Sequence, residues 1–223
     1  ASEQGHPKAQ FKLGMQYYNG DGVEKDIDES IRLLRLSSEQ GYPNAQLCLA
    51  VCYSQGKGVE KNVDEATRWY KLAAEQGLAD AQNTLANLYS YGGGVEKDIG
   101  EANRLYKLAS EQGHPKAQFK LGMQYYNGDG VEKDIDESIR LLRLSSEQGY
   151  PNAQLCLAVC YSQGKGVEKN VDEATRWYKL AAEQGLADAQ NTLANLYSYG
   201  GGVEKDIGEA NRLYKLASEQ GHP

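Results

Sequence analysis

Apolar residues recur at helical spacing in two alternating stripes along the chain. In the first, Ala9, Leu13 and Tyr17 stand at i, i+4 and i+8, and the trio returns as Ala45, Leu49, Tyr53 and as Ala81, Leu85, Tyr89. The second holds Ile27, Leu33, Leu34 and Leu36, matched by Val63, Trp69, Tyr70 and Leu72. Each stripe covers one face, which is what a helix packed against a neighbour requires. Small residues interrupt both stripes, at Gly14, Ala50 and Ala86 and at Ser30, Ala66 and Ala102. They let two helix axes approach closely, so the pattern predicts paired helices and an all-α chain.

The boundaries agree with the stripes. The spacing predicts a first helix from about Pro7 to Tyr17, entered through proline, whose missing N–H would have no partner in the first turn. Gly20 and Gly22 break it. A second helix starts after Asp26, Asn62 or Asp98, each followed three residues later by Glu29, Glu65 or Glu101. That spacing predicts a capping box, in which the cap side chain and the glutamate each satisfy a free backbone N–H. Gly41, Gly77 and Gly113 end the second helix by taking the left-handed conformation.

Laid against itself, the chain repeats without change: residues 5–112 and 113–220 are identical. Identity that extends to surface positions points to recent duplication or to an engineered or idealised array, because folding does not constrain such positions. Each block divides into three units, giving repeats at 5–40, 41–76, 77–112, 113–148, 149–184 and 185–220, with partial units at 1–4 and 221–223. A fixed 36-residue period is the signature of a solenoid. One hairpin cannot cover its own apolar stripes, so neighbours must stack. The expected organisation is therefore a single α-solenoid over 1–223.

Charged residues make up 25% and hydrophobic residues 40%, the composition of a folded chain. A net charge of −7 speaks against a nucleic-acid partner, which needs clustered Lys and Arg. No run approaches the ~18 apolar residues of a membrane span, and no membrane partner is expected. The first residues do not follow the pattern of a signal peptide. Cys48 and Cys52, and again Cys156 and Cys160, lie one helical turn apart, which fits poorly with a disulfide. They read as small, partly buried thiols. His6, His114 and His222 are one repeated position in Gly-His-Pro, a helix entry rather than a catalyst.

The recurring set Ala45, Leu49, Ala50, Tyr53, Gly56, Gly58, Val59, Asn62, Ala66, Trp69, Ala73 and Ala74 resembles the Sel1-like repeat, a member of the wider tetratricopeptide-like α-solenoids. Ser30, Ser37 and Ser38 depart from its usual alanines and Leu33 from its aromatic. The resemblance implies a right-handed α-α superhelical solenoid whose members act as adaptors and scaffolds. A cysteine-rich branch staples its helix pairs with disulfides and has been credited with an enzyme activity. Here each cysteine pair sits on one helix, so that branch does not carry over.

No catalytic constellation emerges. The loops NGDGVEKD, QGKGVEKN and GGGVEKD lack the third glycine or the Gly-Lys-Ser/Thr of a phosphate loop, and their acidic residues miss calcium-loop spacing. No cofactor, metal or enzyme activity is expected, which leaves the surface. On the first helix the positions that vary between units lie opposite the mean direction of the constant ones. They are Lys8, Phe11, Met15, Asn44, Leu47, Val51, Asp80, Asn83 and Asn87, and in the second block Lys116, Phe119, Met123, Asn152, Leu155, Val159, Asp188, Asn191 and Asn195. The expectation is a non-enzymatic scaffold holding a peptide or protein along the concave first-helix face. Alternatively, Phe11, Met15, Leu47 and Val51 pack against neighbouring helices. A second reading is a structural protein. Its ordinary first and last units lack the polar caps of a solenoid, so copies would stack end to end into a filament.

Overall fold

The computed structural model describes residues 5–220, which form twelve helices and no strand. The chain falls into two compact units, Ala1–His114 and Pro115–Pro223, divided at the seam between the identical blocks. The first contains α1 (Pro7–Asn19), α2 (Ile27–Glu39), α3 (Pro43–Gln55), α4 (Val63–Glu75), α5 (Ala79–Tyr91) and α6 (Ile99–Glu111). The second contains α7 (Pro115–Asn127), α8 (Ile135–Glu147), α9 (Pro151–Gln163), α10 (Val171–Glu183), α11 (Ala187–Tyr199) and α12 (Ile207–Glu219). Within each unit every helix packs on its chain neighbours, as hairpins and as consecutive repeats. The partial units at 1–4 and 221–223, and the end-to-end stacking expected from them, lie outside the described residues.

Local chemistry sets the helix limits. The first helix extends two residues past Tyr17 because Gly20, at φ +83°, is the terminator, its N–H donating to the Gln16 carbonyl. Asp26, Asn62 and Asp98 are extended N-caps whose side chains accept from the N–H groups of Glu29, Glu65 and Glu101 at 3.0, 3.0 and 2.9 Å. The reciprocal half of the expected capping box does not form. The cap N–H groups of Asp26, Asn62 and Asp98 donate instead to Tyr17, Tyr53 and Tyr89 of the preceding helix. The freed glutamates pair with arginines one turn on, as Glu29 does with Arg32 at 2.7 Å.

The core runs along the helix interfaces. In the first unit Ile31, Leu34, Ala45 and Cys52 form one buried cluster and Leu49, Ala50, Ala66, Trp69 and Tyr70 the next. The second unit repeats this around Leu157, Ala158, Trp177, Tyr178 and Leu193. Gly14 sits where a Cβ would press on Leu33 and the Ser30 carbonyl, both at 3.3 Å, so the hairpin closes tightly there.

A chain of glutamines fixes the register of the stack. Gln10, Gln46 and Gln82 are buried, and each accepts from the glutamine that ends its own second helix, Gln40, Gln76 and Gln112, at 2.6–2.8 Å. Gln46 and Gln82 then donate backward to the Ser38 and Ala74 carbonyls of the preceding repeat, at 3.1 and 3.2 Å. The second unit has the same ladder through Gln118, Gln154 and Gln190. Gln46, Gln82, Gln154 and Gln190 are thus two-sided brackets, one hand on their own hairpin and one on the previous hairpin. A buried amide that lost either contact would carry a desolvation penalty of about 1–3 kcal/mol.

Candidate functional site

Two surfaces follow from this packing. The second helices expose one with its charges already matched. An arginine pairs with the glutamate one turn earlier in all six repeats: Arg32–Glu29, Arg68–Glu65, Arg104–Glu101, Arg140–Glu137, Arg176–Glu173 and Arg212–Glu209, at 2.6–3.4 Å. The arginine hydrogen bond holds the Glu29, Glu101 and Glu209 carboxyls below their ordinary range. The next basic residue reaches the following repeat. Arg35 donates to the Tyr53 hydroxyl at 2.9 Å, Arg143 to Tyr161 at 3.2 Å, and Lys71 and Lys179 sit over the rings of Tyr89 and Tyr197. An open hollow of about 380 Å³ lies between Ile31, Arg32, Leu36 and the Gly58–Val59 loop, with Asp28, Arg35 and Glu39 at its rim. Related hollows recur at Arg140 and Arg176. Their rims carry both signs, and Arg32, Arg140 and Arg176 there are already tied to the glutamates one turn earlier.

The other surface belongs to the first helices. Gln10 and Gly14 face the second helix of their own hairpin. Positions about two residues away in sequence point oppositely. Lys8, Lys12 and Asn19 are accordingly exposed on α1. On α3 the stripe is Asn44, Cys48 and Gln55, and on α5 Asp80, Thr84 and Tyr91, all exposed or half-buried. Its composition changes from repeat to repeat. Lys8 and Lys12 make no ion pair among the described residues. Asp80, with its side chain 70% exposed, accepts from or pairs with His114 Nε2 at 3.1 Å.

The predicted site residues divide between this stripe and the joints beside it. Lys8, Asp80, Lys116 and Asp188 are exposed, and Asn44 and Asn152 are half-buried beside the hydroxyls of Tyr42 and Tyr150. Phe11 and Met15 turn toward the next first helix. The Phe11 ring tilts against Tyr42 at 5.2 Å, and both side chains pack on the Ile31, Leu34, Ala45 and Cys52 cluster. Phe119 meets Tyr150 in the same way at 5.3 Å, and Met123 is half-buried. Leu47 and Val51 lean on the Leu49 cluster together with Leu88, as Leu155 and Val159 do in the second unit. Asn83 is buried and Asn191 half-buried. Asn87 and Asn195 accept from the hydroxyls of Tyr106 and Tyr214 at 2.8 and 2.7 Å.

Lys12, Cys48 and Thr84 were not among the predicted residues. The inward direction had been taken from the apolar positions, whereas a buried polar residue, Gln10, helps define it. A helical wheel centred on the repeated glutamine would have found them.

The cysteines are free thiols. Burial, aided by the neighbouring Cys52 and Cys160, pushes Cys48 and Cys156 up to about 11. They are therefore protonated near neutral pH and poor nucleophiles. No group of His, Cys, Asp and Glu among the described residues could hold a metal ion. His6 caps the entry to α1 without a side-chain hydrogen bond, and His222 lies outside the described residues.

Hairpins of one length, each completed by its neighbours and offering only surfaces, define the class: an α-solenoid repeat protein. The Sel1 repeat model matches six times, over residues 7–42, 43–78, 79–114, 115–150, 151–186 and 187–222, the same period phased two residues later. The chain belongs to the Sel1 repeat family. It is similar, at 34% identity and a TM-score of 0.88, to the crystal structure of c5321, described as a protective antigen of uropathogenic Escherichia coli displaying an SLR fold. That match covers 99% of this chain and 47% of c5321, so the chain spans about half of that protein. A Sel1 repeat protein from Oxalobacter formigenes gives the same identity and TM-score over 96% of this chain and 86% of its own. The immunity protein Pa5087 of Pseudomonas aeruginosa shares the fold at 21% identity and a TM-score of 0.58, over 96% of this chain and 81% of its own. No curated protein matches. Sel1 repeat proteins generally mediate protein–protein interaction and are generally non-enzymatic.

Proposed function

We propose that the protein is a scaffold that holds a peptide or protein partner along its first helices. The bound segment crosses the stripe at Lys8, Asn44 and Asp80, with Phe11, Met15, Leu47, Val51, Asn83 and Asn87 at the joints beside it. The second unit offers the same set from Lys116 to Asn195. One observation supports this reading: every second helix ties an arginine to the glutamate one turn earlier, whereas Lys8 and Lys12 on α1 make no ion pair among the described residues. A surface whose charges already satisfy one another has little to offer a ligand, because its pairs must be broken or desolvated first.

The test is localisation by substitution. Peptides selected by display against the full chain are measured by fluorescence anisotropy. Lys12→Ala with Lys120→Ala, and Asp80→Ala with Asp188→Ala, should weaken binding. Arg32→Ala with Arg140→Ala should leave it within about twofold, as expected for a rim charge away from the contact. Loss confined to the arginine variants would move the partner to the second-helix face and refute the proposal.

A further inference from the structure

The exposed first-helix stripe is not uniform in charge, and its gradient repeats. On α1 it carries Lys8 and Lys12, on α3 the neutral Cys48, and on α5 Asp80 and Thr84. The second unit repeats the order as Lys116 and Lys120, Cys156, then Asp188 and Thr192. Consecutive first helices meet through shared clusters, since Phe11 and Met15 of α1 pack on the cluster that includes Ala45 and Cys52 of α3, and Leu47 of α3 shares a cluster with Leu88 of α5. The stripe therefore runs from cationic, through neutral, to anionic within one unit. Folding does not require this order. The same positions are exposed or half-buried, and the core beneath them keeps its residue types from repeat to repeat.

We infer that the occupant of this stripe is an extended peptide segment of dipolar charge, with an acidic end on α1, an uncharged middle over α3 and a basic end on α5. The inference rests on the scaffold reading above and adds the chemistry of the partner. Directly packed helices lie about 8–10 Å apart, and α1, α3 and α5 pack chiefly through α2 and α4, so α1 and α5 are separated by at least about 16–20 Å. An extended segment needs at least about five or six residues, at roughly 3.3 Å each, to cover that span. Acidic and basic groups of the partner should therefore be spaced by at least about that number. A segment with two acidic ends would meet Asp80 with a like charge, and one with two basic ends would meet Lys8 and Lys12 in the same way. Such repulsion selects partners more sharply than attraction does.

The probe is the capped peptide acetyl-Glu-Glu-Ser-Leu-Val-Ser-Lys-Lys-amide, compared with versions carrying Glu at both ends, Lys at both ends, or Gln at both ends. Binding to the full chain is followed by anisotropy and by perturbation of backbone amide resonances in α1, α3 and α5. The dipolar peptide should bind about tenfold more tightly than either singly signed peptide, the gap narrowing as salt screens the exposed charges. A spin label on its acidic end should broaden the amides around Lys8 and Lys12, not those around Asp80. The variant carrying Lys8→Glu, Lys12→Glu, Lys116→Glu and Lys120→Glu should invert the preference, so that the peptide with Lys at both ends binds best. Circular dichroism shows whether that variant is folded, and the wild-type comparison stands without it. If the Gln peptide binds the stripe as well as the dipolar one, the charge inference is overturned while the scaffold reading survives. If no peptide perturbs first-helix amides, both are overturned.

Discussion

Alanine at Gly58 should destabilise the protein far more than alanine at Gly41, although both glycines are left-handed, at φ +68° and +83°. The left-handed conformation alone costs alanine about 1–2 kcal/mol. At Gly41 that is the whole effect, because a Cβ there meets nothing within 4 Å. At Gly58 the Cβ would fall inside van der Waals contact of Ile27 Cγ2 and reach 2.9 Å from Ile31 Cγ1. These atoms belong to the preceding repeat, so the glycine loop is the point where one hairpin seats on the helix before it. Overpacking adds roughly 1–3 kcal/mol, giving about 2–5 kcal/mol in all. With a urea slope of about 2 kcal/mol/M, the excess over Gly41→Ala moves the midpoint by roughly 0.5–1.5 M. Far-UV circular dichroism and the fluorescence of Trp69 and Trp177 report the transition. Asparagine separates the two causes, since it tolerates the left-handed region. Gly41→Asn should recover most of the loss and Gly58→Asn little of it. Gly166→Ala should match Gly58→Ala, its Cβ falling inside contact of Ile135 and 2.9 Å from Ile139. Equal losses at Gly41 and Gly58 would refute a seam made by close approach.

Gln46→Ala removes a bracket of the amide ladder and leaves the Ser38 carbonyl without its side-chain donor; a loss of about 1–3 kcal/mol is expected, with faster hydrogen exchange at the joint between α2 and α3. An unchanged urea midpoint would show that the ladder is decorative. Glu29, Glu101 and Glu209 are held by arginine hydrogen bonds below their ordinary value of 4.5. A carboxyl with a depressed folded pKa contributes stability that is complete above its unfolded value and is lost as pH falls through the folded one. Glu29→Gln with Glu101→Gln and Glu209→Gln should therefore flatten the decline in stability below about pH 4.5, by a small amount because the pairs are exposed, and an unaltered acid limb would contradict the pairing. The Cys48 and Cys156 thiols, pushed up to about 11, should react slowly with a thiol-specific disulfide reagent at neutral pH and rapidly in denaturant; fast native labelling would contradict their burial.

The fold was legible because every local signal agreed. Proline entries, Asp or Asn caps three residues before glutamate and apolar stripes at helical spacing all predicted the same hairpin, and the structure forms it. The misreadings concern polar groups with two possible partners. Glu29 was expected to complete the capping box, yet it bonds Arg32, and the cap N–H finds the Tyr17 carbonyl in the previous helix. Sequence spacing shows only which partners are near along the chain. The choice between a local bond and one across the hairpin depends on where the next helix lies. The same limit hid the glutamine ladder. Gln10 and Gln40 are thirty residues apart, and neither appears buried from composition, yet their contact fixes the inward face of the first helix. The expected strip accordingly differs by about one position from the most exposed line of α1: Phe11 and Met15 pack at the joint, and Lys12 is exposed.

That displacement bears on how the repeat divides its work. The positions most constrained are those that touch two hairpins at once: Gly58 against Ile27, and Gln46 between Gln76 and Ser38. Each recurs with the period because each joint is the same joint. The second-helix surface is nearly as constant, since its arginines and lysines are tied to glutamates and tyrosines that belong to the scaffold. On the first-helix stripe Lys8, Lys12 and Asp80 are exposed, whereas Cys48 packs on the Ile31, Leu34, Ala45 and Cys52 cluster. The exposed positions are the part of the repeat where side chains can differ without disturbing a joint. A stack built this way can vary those exposed side chains one repeat at a time while leaving its joints in place. The variation seen within three repeats, from cationic to anionic, is the kind of difference that such freedom permits and that packing alone would not produce.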